Sequence, residues 1–488
     1  MEIQKTVLSV ETLVGTAVAQ AQLESAIPLP DGVQSEKVLS CEPEVSVREA
    51  ICTRDGVQVT GLLLLHLTVE TEEGRPAAFD ASATFTHTIP LSGAAEQMSA
   101  RAAAYAPTCL CRVEDGGLRM QTTLLLRTAV FSTERQECIA GIDDAKGLET
   151  QGGQICLDRR TLLGAHSLRV RETVDAPVDM TLLRASGYAE VGRLVNGADG
   201  ILLEGTLTVT ALFADAEGSV TRQVYAVPFT DTITAEANPA PTATVELQQL
   251  NADYDADGEL QLEAALSVGL YGTATSEAAV LSDAYDSEGS FSCQTKTVPC
   301  LTYLGEHMRT TVLREPVAVP GHMKDVTRVM YTCAVPAITE TRVEPTGASL
   351  DGLLLLNIVY RADDGRLYGF RTDVPFSIAL DPVGTLLLPE IAVRSAEAAG
   401  SGRTLTCTVE LRCGGEWYRE QTVELTTDLR PGAPRDPHEG ILIYFTDECD
   451  TVFSIGKRFG IPQETVRQWN PKLAEPIPEG VPVLLMRG

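Results

Sequence analysis

No stretch of this 488-residue chain approaches the ~20 consecutive apolar residues that a membrane-spanning helix requires. The opening segment, MEIQKTVLSVETLVGTAVAQAQLES, also lacks the clean apolar core of a secretory signal, because Glu2, Lys5 and Glu11 interrupt it. Basic residues are scarce: 38 Lys and Arg stand against 67 Asp and Glu, a formal charge of −29. That charge repels nucleic-acid phosphate and anionic lipid. Neither nucleic acid binding nor membrane insertion is therefore expected, and basic protein surfaces suit the chain better. The six histidines are dispersed, with no HxH or HExxH, and the twelve cysteines form no CxxC pair, so no metal site and no cofactor are expected. The phosphate loop GxxxxGK[ST] and the nucleophile elbow GxSxG are missing as well; the chain reads as a non-enzyme without catalytic residues. Its thiols sit in apolar, strand-like surroundings and read as buried and unpaired, in a reducing compartment. Cys109 and Cys111 fall on one face of a strand.

What is present is one unit written three times. VTGLLLLHLTVETEEGRPAAF, LLEGTLTVTALFADAEGSVTRQV and LDGLLLLNIVYRADDGRLYGF align on Gly61, Gly205 and Gly352. Each continues with a second glycine (Gly74, Gly218, Gly365) and then a phenylalanine (Phe85, Phe229, Phe376). Upstream, TLVG, TLLG and TYLG end at Gly15, Gly164 and Gly305, with Pro30, Pro177 and Pro320 beyond; downstream, Gly117, Gly258 and Gly402 mark further turns. Apolar runs passing into alternation read as strands, and EEGR, AEGS and DDGR as hairpin turns. The preceding stretches DGVQSEKVL (Asp31–Leu39) and VDMTLLRAS (Val178–Ser186) read as short helices. Corresponding glycines lie about 140–150 residues apart, long enough for each copy to bury its own core. The expected fold is therefore mainly β, with three tandem β-rich domains of sandwich or partly open barrel type over 1–145, 155–285 and 295–428. A Pro-rich linker over 429–440 and a small βααβ domain over 441–488 follow.

One motif invites a calcium reading. In NADYDADGELQLEA, Asp253, Asp255, Asp257 and Gly258 match the first half of an EF-hand loop. The position for the bidentate glutamate is Ala264, and the flanks read as strands, so a solvated hairpin turn is the better expectation.

The last segment begins with a strand, ILIYF. Asp450 and Thr451 can cap a helix that Gly460 closes; Pro462 opens a second helix that Asn470-Pro471 ends; VPVLL returns as a strand. Trp469 and Lys457 lie outside the caps and suit a contact surface. This order resembles a LysM domain, on Asp450-Thr451, Ile455, Phe459-Gly460, Val466, Asn470 and Gly480; Cys449, Val452 and Val481 replace the family's usual Gly, Leu and Gln. The resemblance implies ligand loops over Asp447–Thr451 and Asn470–Ile477. Asp450, Thr451, Asn470, Pro471 and Ile477 would then be binding residues for peptidoglycan glycan containing N-acetylglucosamine, although Cys449 sets a side chain where backbone normally approaches sugar. The three repeats look like SPOCS domains, and the combination resembles the SipL family of endospore-forming bacteria. That resemblance implies a non-enzymatic spore-coat scaffold in the mother-cell cytoplasm at the forespore surface. Its LysM domain would dock a coat-basement ATPase of the stage IV sporulation protein A type, and its β-domains would contact other coat proteins or themselves. The alternatives are a peptidoglycan-binding protein of the wall or spore cortex, and a surface or phage-type structural protein using the β-domains as spacers.

Overall fold

In the computed structural model, each sequence repeat folds as six antiparallel strands in two three-stranded layers, and the long-stranded layers of the second and third repeats join at Tyr285 and Ser290 into one six-stranded sheet. The structure describes residues 2–30, 33, 35–114, 116–143, 147–255, 257–286, 289–344, 347–381, 384–434 and 440–487. The first unit comprises β1 (Glu2–Ile27), β2 (Ser35–Thr53), β3 (Gly56–Thr71), β4 (Pro76–Pro90), β5 (Ser99–Glu114) and β6 (Gly117–Asp143). The second comprises β7 (Glu149–Asp175), β8 (Thr181–Asn196), β9 (Ile201–Ala214), β10 (Val220–Ile233), β11 (Thr242–Asp255) and β12 (Glu259–Tyr285). The third comprises β13 (Gly289–Ala318), β14 (Val326–Glu344), β15 (Gly347–Ala362), β16 (Leu367–Leu380), β17 (Thr385–Ser401) and β18 (Thr404–Pro434). After them come β19 (Gly440–Phe445), α1 (Val452–Phe459), α2 (Gln463–Trp469) and β20 (Pro482–Arg487).

In every unit the second, third and fourth strands form one sheet, while the sixth pairs with both the first and the fifth in the other. The sheets face each other across an apolar core. In the second unit, Leu203, Leu207 and Val209 of β9 meet Leu262, Leu266 and Val268 of β12. The chain is thus mainly β, as expected.

The repeat landmarks acquire physical reasons. Gly61, Gly205 and Gly352 lie directly across from Phe85, Phe229 and Phe376, and each phenyl ring covers the glycine where a Cβ would overlap it. Gly74, Gly218 and Gly365 take positive φ in the hairpin turns, which L-residues with side chains disfavour. Gly15 and Gly305 sit at β-bulges in β1 and β13, and β7 breaks register between Leu162 and Gly164.

Those bulges mark where each long ribbon leaves its own sheet pair. On the far side the three ribbons pack together: Leu8 and Val10 (β1), Leu157 (β7), Ala278 and Val280 (β12), Val298 and Cys300 (β13) and Leu425 (β18) share one core. Charge is paired across the same junction, because Glu416 of the third unit meets Arg101 of the first at 2.5 Å and Arg160 of the second at 3.1 Å.

Two expectations need correction. The stretches read as short helices form the strands β2 and β8, of which residues 31, 32 and 34 lie outside the described set. Each supplies the outer partner of a central strand, β3 or β9, whose backbone groups would otherwise be unpaired. The linker read over 429–440 does not begin at 429: β18 continues to Pro434, paired with β13, because Leu429 is buried against Ile139 and Leu281. Residues 435–439, including His438, lie outside the described set. Asp253 and Asp255 lie on β11, and Gly258 turns the chain into β12.

Candidate functional site

The C-terminal unit is built on two helix caps and one asparagine. Thr451 accepts the Ser454 N–H at 3.0 Å, while Ser454 Oγ accepts the Thr451 N–H at 2.9 Å, a reciprocal cap on α1. Asp450 accepts from Ser454 Oγ, the Asp447 N–H and the Tyr444 hydroxyl; although burial opposes its charge, these bonds hold its carboxyl below the usual carboxylate range. Gly460 closes α1 at φ 67°. Asn470 ends α2 and ties it to β20, donating to the Val466 and Leu484 carbonyls and accepting the Leu484 N–H at 2.7 Å. A small core of Val452, Ile455, Ile461, Val466, Ile477 and Val483 lies between helices and strands.

The residues singled out from the sequence thus separate. Asp450 and Ile477 are buried, Pro471 is exposed, and Trp469 packs half-buried on the small core. The loop before α1 and the loop after α2 are drawn together by Glu475, whose carboxylate accepts the Val452 N–H at 2.8 Å. That carboxylate takes a first-turn backbone donor in the cleft that the resemblance assigned to glycan. Lys457 faces the other way. Its ammonium lies 2.6 Å from both carboxylate oxygens of Asp283, so within this arrangement it serves the chain's own packing. Around it, the Tyr285 hydroxyl donates to the Ile461 carbonyl at 3.0 Å, the Tyr285 ring meets Phe453 edge-on at 5.1 Å, and Glu149 accepts from Gln463. The helical face of the unit is therefore seated on the end of the shared ribbon core.

Its opposite face is bare. β19 pairs only with β20 among the described strands. Ile441, Ile443 and Phe445 point outward from it with 75 %, 58 % and 60 % of their surfaces exposed. Directly opposite them in register stand Met486, Leu484 and Pro482, so one side of the two-stranded sheet is wholly apolar. The sequence showed ILIYF as a strand. It carried no signal for which side the helices leave uncovered.

A second constellation lies where the three sheet pairs meet. Glu42 of β2 receives Arg184 Nη2 of β8 at 2.7 Å, with both residues more than nine-tenths buried. Burial raises the Glu42 carboxyl and Arg184 overrides it, so the pair stays charged. Tyr331 of β14 lies 2.6 Å from Ser40 Oγ and donates to Thr68 Oγ1 at 2.8 Å; Cys333 is half-buried nearby, its thiol pushed up by burial and by the Glu42 carboxylate. His66 stands between Asp80 (2.8 Å) and Glu44 (3.3 Å). Burial and Arg184 oppose its charge, but the two carboxylates prevail and lift its pKa to about 9.

That shift carries a pH prediction. The folded state holds the His66 proton more tightly than the unfolded chain, so its contribution is complete below about pH 6.5 and is lost as the pH rises through about 9. Stability is expected to fall by on the order of 2–3 kcal/mol over that window, the half-exposed carboxylate partners trimming the full value. Urea unfolding at pH 6 and pH 9.5 should show this slope in the wild type, and His66→Gln should flatten it; an unchanged slope in the variant refutes the assignment.

No family model, no curated protein and no solved structure matches the chain. Among the described residues no helix is long and apolar enough to cross a membrane.

Proposed function

We propose that the chain is a non-enzymatic assembly scaffold, in which the three β-units form a rigid body and the C-terminal unit, a LysM-type module, docks a protein. The observation that carries this reading is the bare apolar side of the β19–β20 sheet, with Ile441, Ile443 and Phe445 exposed together. Apolar side chains grouped on one side of a small sheet suit a protein interface, whereas isolated exposed ones do not call for a partner. Engagement of the Val452 N–H by Glu475 supports protein over glycan, since it occupies a donor in the sugar cleft. A single copy of a small module supports the same choice, because wall proteins gain avidity by repeating it. Following the resemblance to the SipL family, the partner is a coat-basement ATPase of the stage IV sporulation protein A type, at the forespore surface of the mother cell.

Titration of that purified ATPase against the full chain tests the proposal. Phe445→Glu is expected to weaken binding about tenfold or more, the scale of an interface hot spot, without changing the unfolding midpoint. Unaltered binding in both Phe445→Glu and Ile443→Glu would count against the docking face. Saturable sedimentation with purified peptidoglycan, insensitive to those changes, would replace the reading with glycan binding.

A further inference from the structure

Three thiols converge inside the first unit, in a place that the docking argument does not use. Cys41 of β2 and Cys109 of β5 approach from opposite sheets, and their Sγ atoms lie 3.5 Å apart. Cys111, two residues on, falls on the same side of β5 and packs against the apolar cluster that holds the other two. Their accessibility is graded. Cys109 and Cys41 are 2 % and 7 % exposed, whereas Cys111, close to the end of β5 at Glu114, is half-buried.

The thiols also differ in acidity. The Cys41 thiol donates to both β5 sulfurs, which pushes its own pKa up and lowers those of Cys109 and Cys111. The thiolate is the reactive form, so Cys111 combines favoured ionisation with an approach from solvent. Cys41 stands behind it as a second thiol. A disulfide needs sulfurs about 2.05 Å apart, and side chains already in contact reach that separation by small rotations.

We infer that Cys111 is a peroxide-reactive thiol and Cys41 its resolving partner, giving a reversible disulfide between the two sheets of the first unit. The Cys111 thiolate attacks one oxygen of hydrogen peroxide and breaks the O–O bond. Hydroxide departs, takes up the proton that Cys111 gave up, and leaves as water, while the thiol becomes a sulfenic acid. The Cys41 sulfur then displaces the sulfenic hydroxyl, and its own proton leaves with that group as a second water. Two thiols are oxidised and one peroxide is reduced. The bond staples β2 to β5 where the other units rest on them. Ser40 and Glu42, flanking Cys41, bond to Tyr331 and Arg184, and Arg371 of β16 donates to the Cys109 carbonyl. The inference stands independently of the docking proposal.

Hydrogen peroxide added to the reduced full chain, followed by alkylation and non-reducing peptide mass mapping, tests it. The expected product links the Cys41 peptide to Cys111, is reversed by dithiothreitol, and unfolds at a temperature higher by roughly 5 °C. Cys41→Ala should abolish the link and leave a sulfenic acid at Cys111 that dimedone traps. Cys111→Ser should slow any link to Cys41 about tenfold or more, while Cys109→Ala leaves its rate within about twofold. The exposed Cys156 and Cys449 report plain peroxide reactivity in the same sample. The inference is overturned if Cys41 and Cys111 are still alkylated as thiols once those two have reacted. A bond between Cys109 and Cys111 in place of the expected one, or an unchanged rate of linkage in Cys111→Ser, overturns it equally.

Discussion

Arg184→Ala is expected to lower the free energy of unfolding by about 3–5 kcal/mol, as for breaking a buried ion pair from one side. Glu42 is only 7 % exposed and lies 2.7 Å from Arg184, so the substitution leaves a carboxylate enclosed without its counter-charge. The remaining neighbours do not rescue it. Ser40 Oγ reaches Glu42 at 3.3 Å as a neutral donor, and His66 is already held by Asp80 and Glu44. The physical reasoning also requires that removing both charges together be far milder, since an apolar pair of similar volume carries no desolvation cost. Urea unfolding of Arg184→Ala, and of Arg184→Met combined with Glu42→Leu, measures both statements. A loss under 1 kcal/mol for the single variant, or a double variant as unstable as the single, would contradict the account.

Tyr285→Ala is expected to detach the C-terminal unit from the ribbon core. Tyr285 closes β12, is 1 % exposed, and joins the two bodies by a ring contact to Phe453 and a hydrogen bond to the Ile461 carbonyl. Gly456 on α1 is part of the same fit, because a Cβ there would overlap the Tyr285 hydroxyl. Truncating an enclosed aromatic costs about 3–5 kcal/mol, which here falls on the docking contact. The unit keeps its own core of Val452, Ile455 and Val466 and should remain folded. Limited proteolysis should therefore cut the connecting segment faster in the variant, and amide exchange in α1 should quicken at positions facing Tyr285. Equal cleavage and equal protection in the two proteins would show that the contact does not hold the unit.

Much of the local structure was legible because its causes are local. Gly74, Gly218 and Gly365 lie in Gly-containing turns between apolar stretches, and each closes a hairpin. Thr451, Gly460 and Asn470 cap helices whose start and stop residues are adjacent in sequence. The short-helix reading of β2 and β8 failed for the opposite reason. Polar, unpatterned edge strands are defined by the strand they pair with, and no periodicity of their own declares it.

The amino-acid sequence by itself determined a β-rich chain with a threefold repeat, the positions of its turns, and a small capped helical unit at its end. Turn chemistry, capping and period-two burial act over a few residues, so they are written where they act. Only the tertiary structure decided that the three ribbons share one core beyond their bulges and that Arg184 answers Glu42 across 142 positions. It likewise decided that Lys457 answers Asp283 across 174, which turns an apparent contact residue into an internal latch. Gly369 belongs to the same class: nothing near it in sequence requires a glycine, yet a Cβ there would overlap the Leu39 carbonyl of the first unit. These pairings depend on how whole units pack, where burial makes a charge or a missing methyl group decisive, and that packing leaves no mark in any short stretch of the chain.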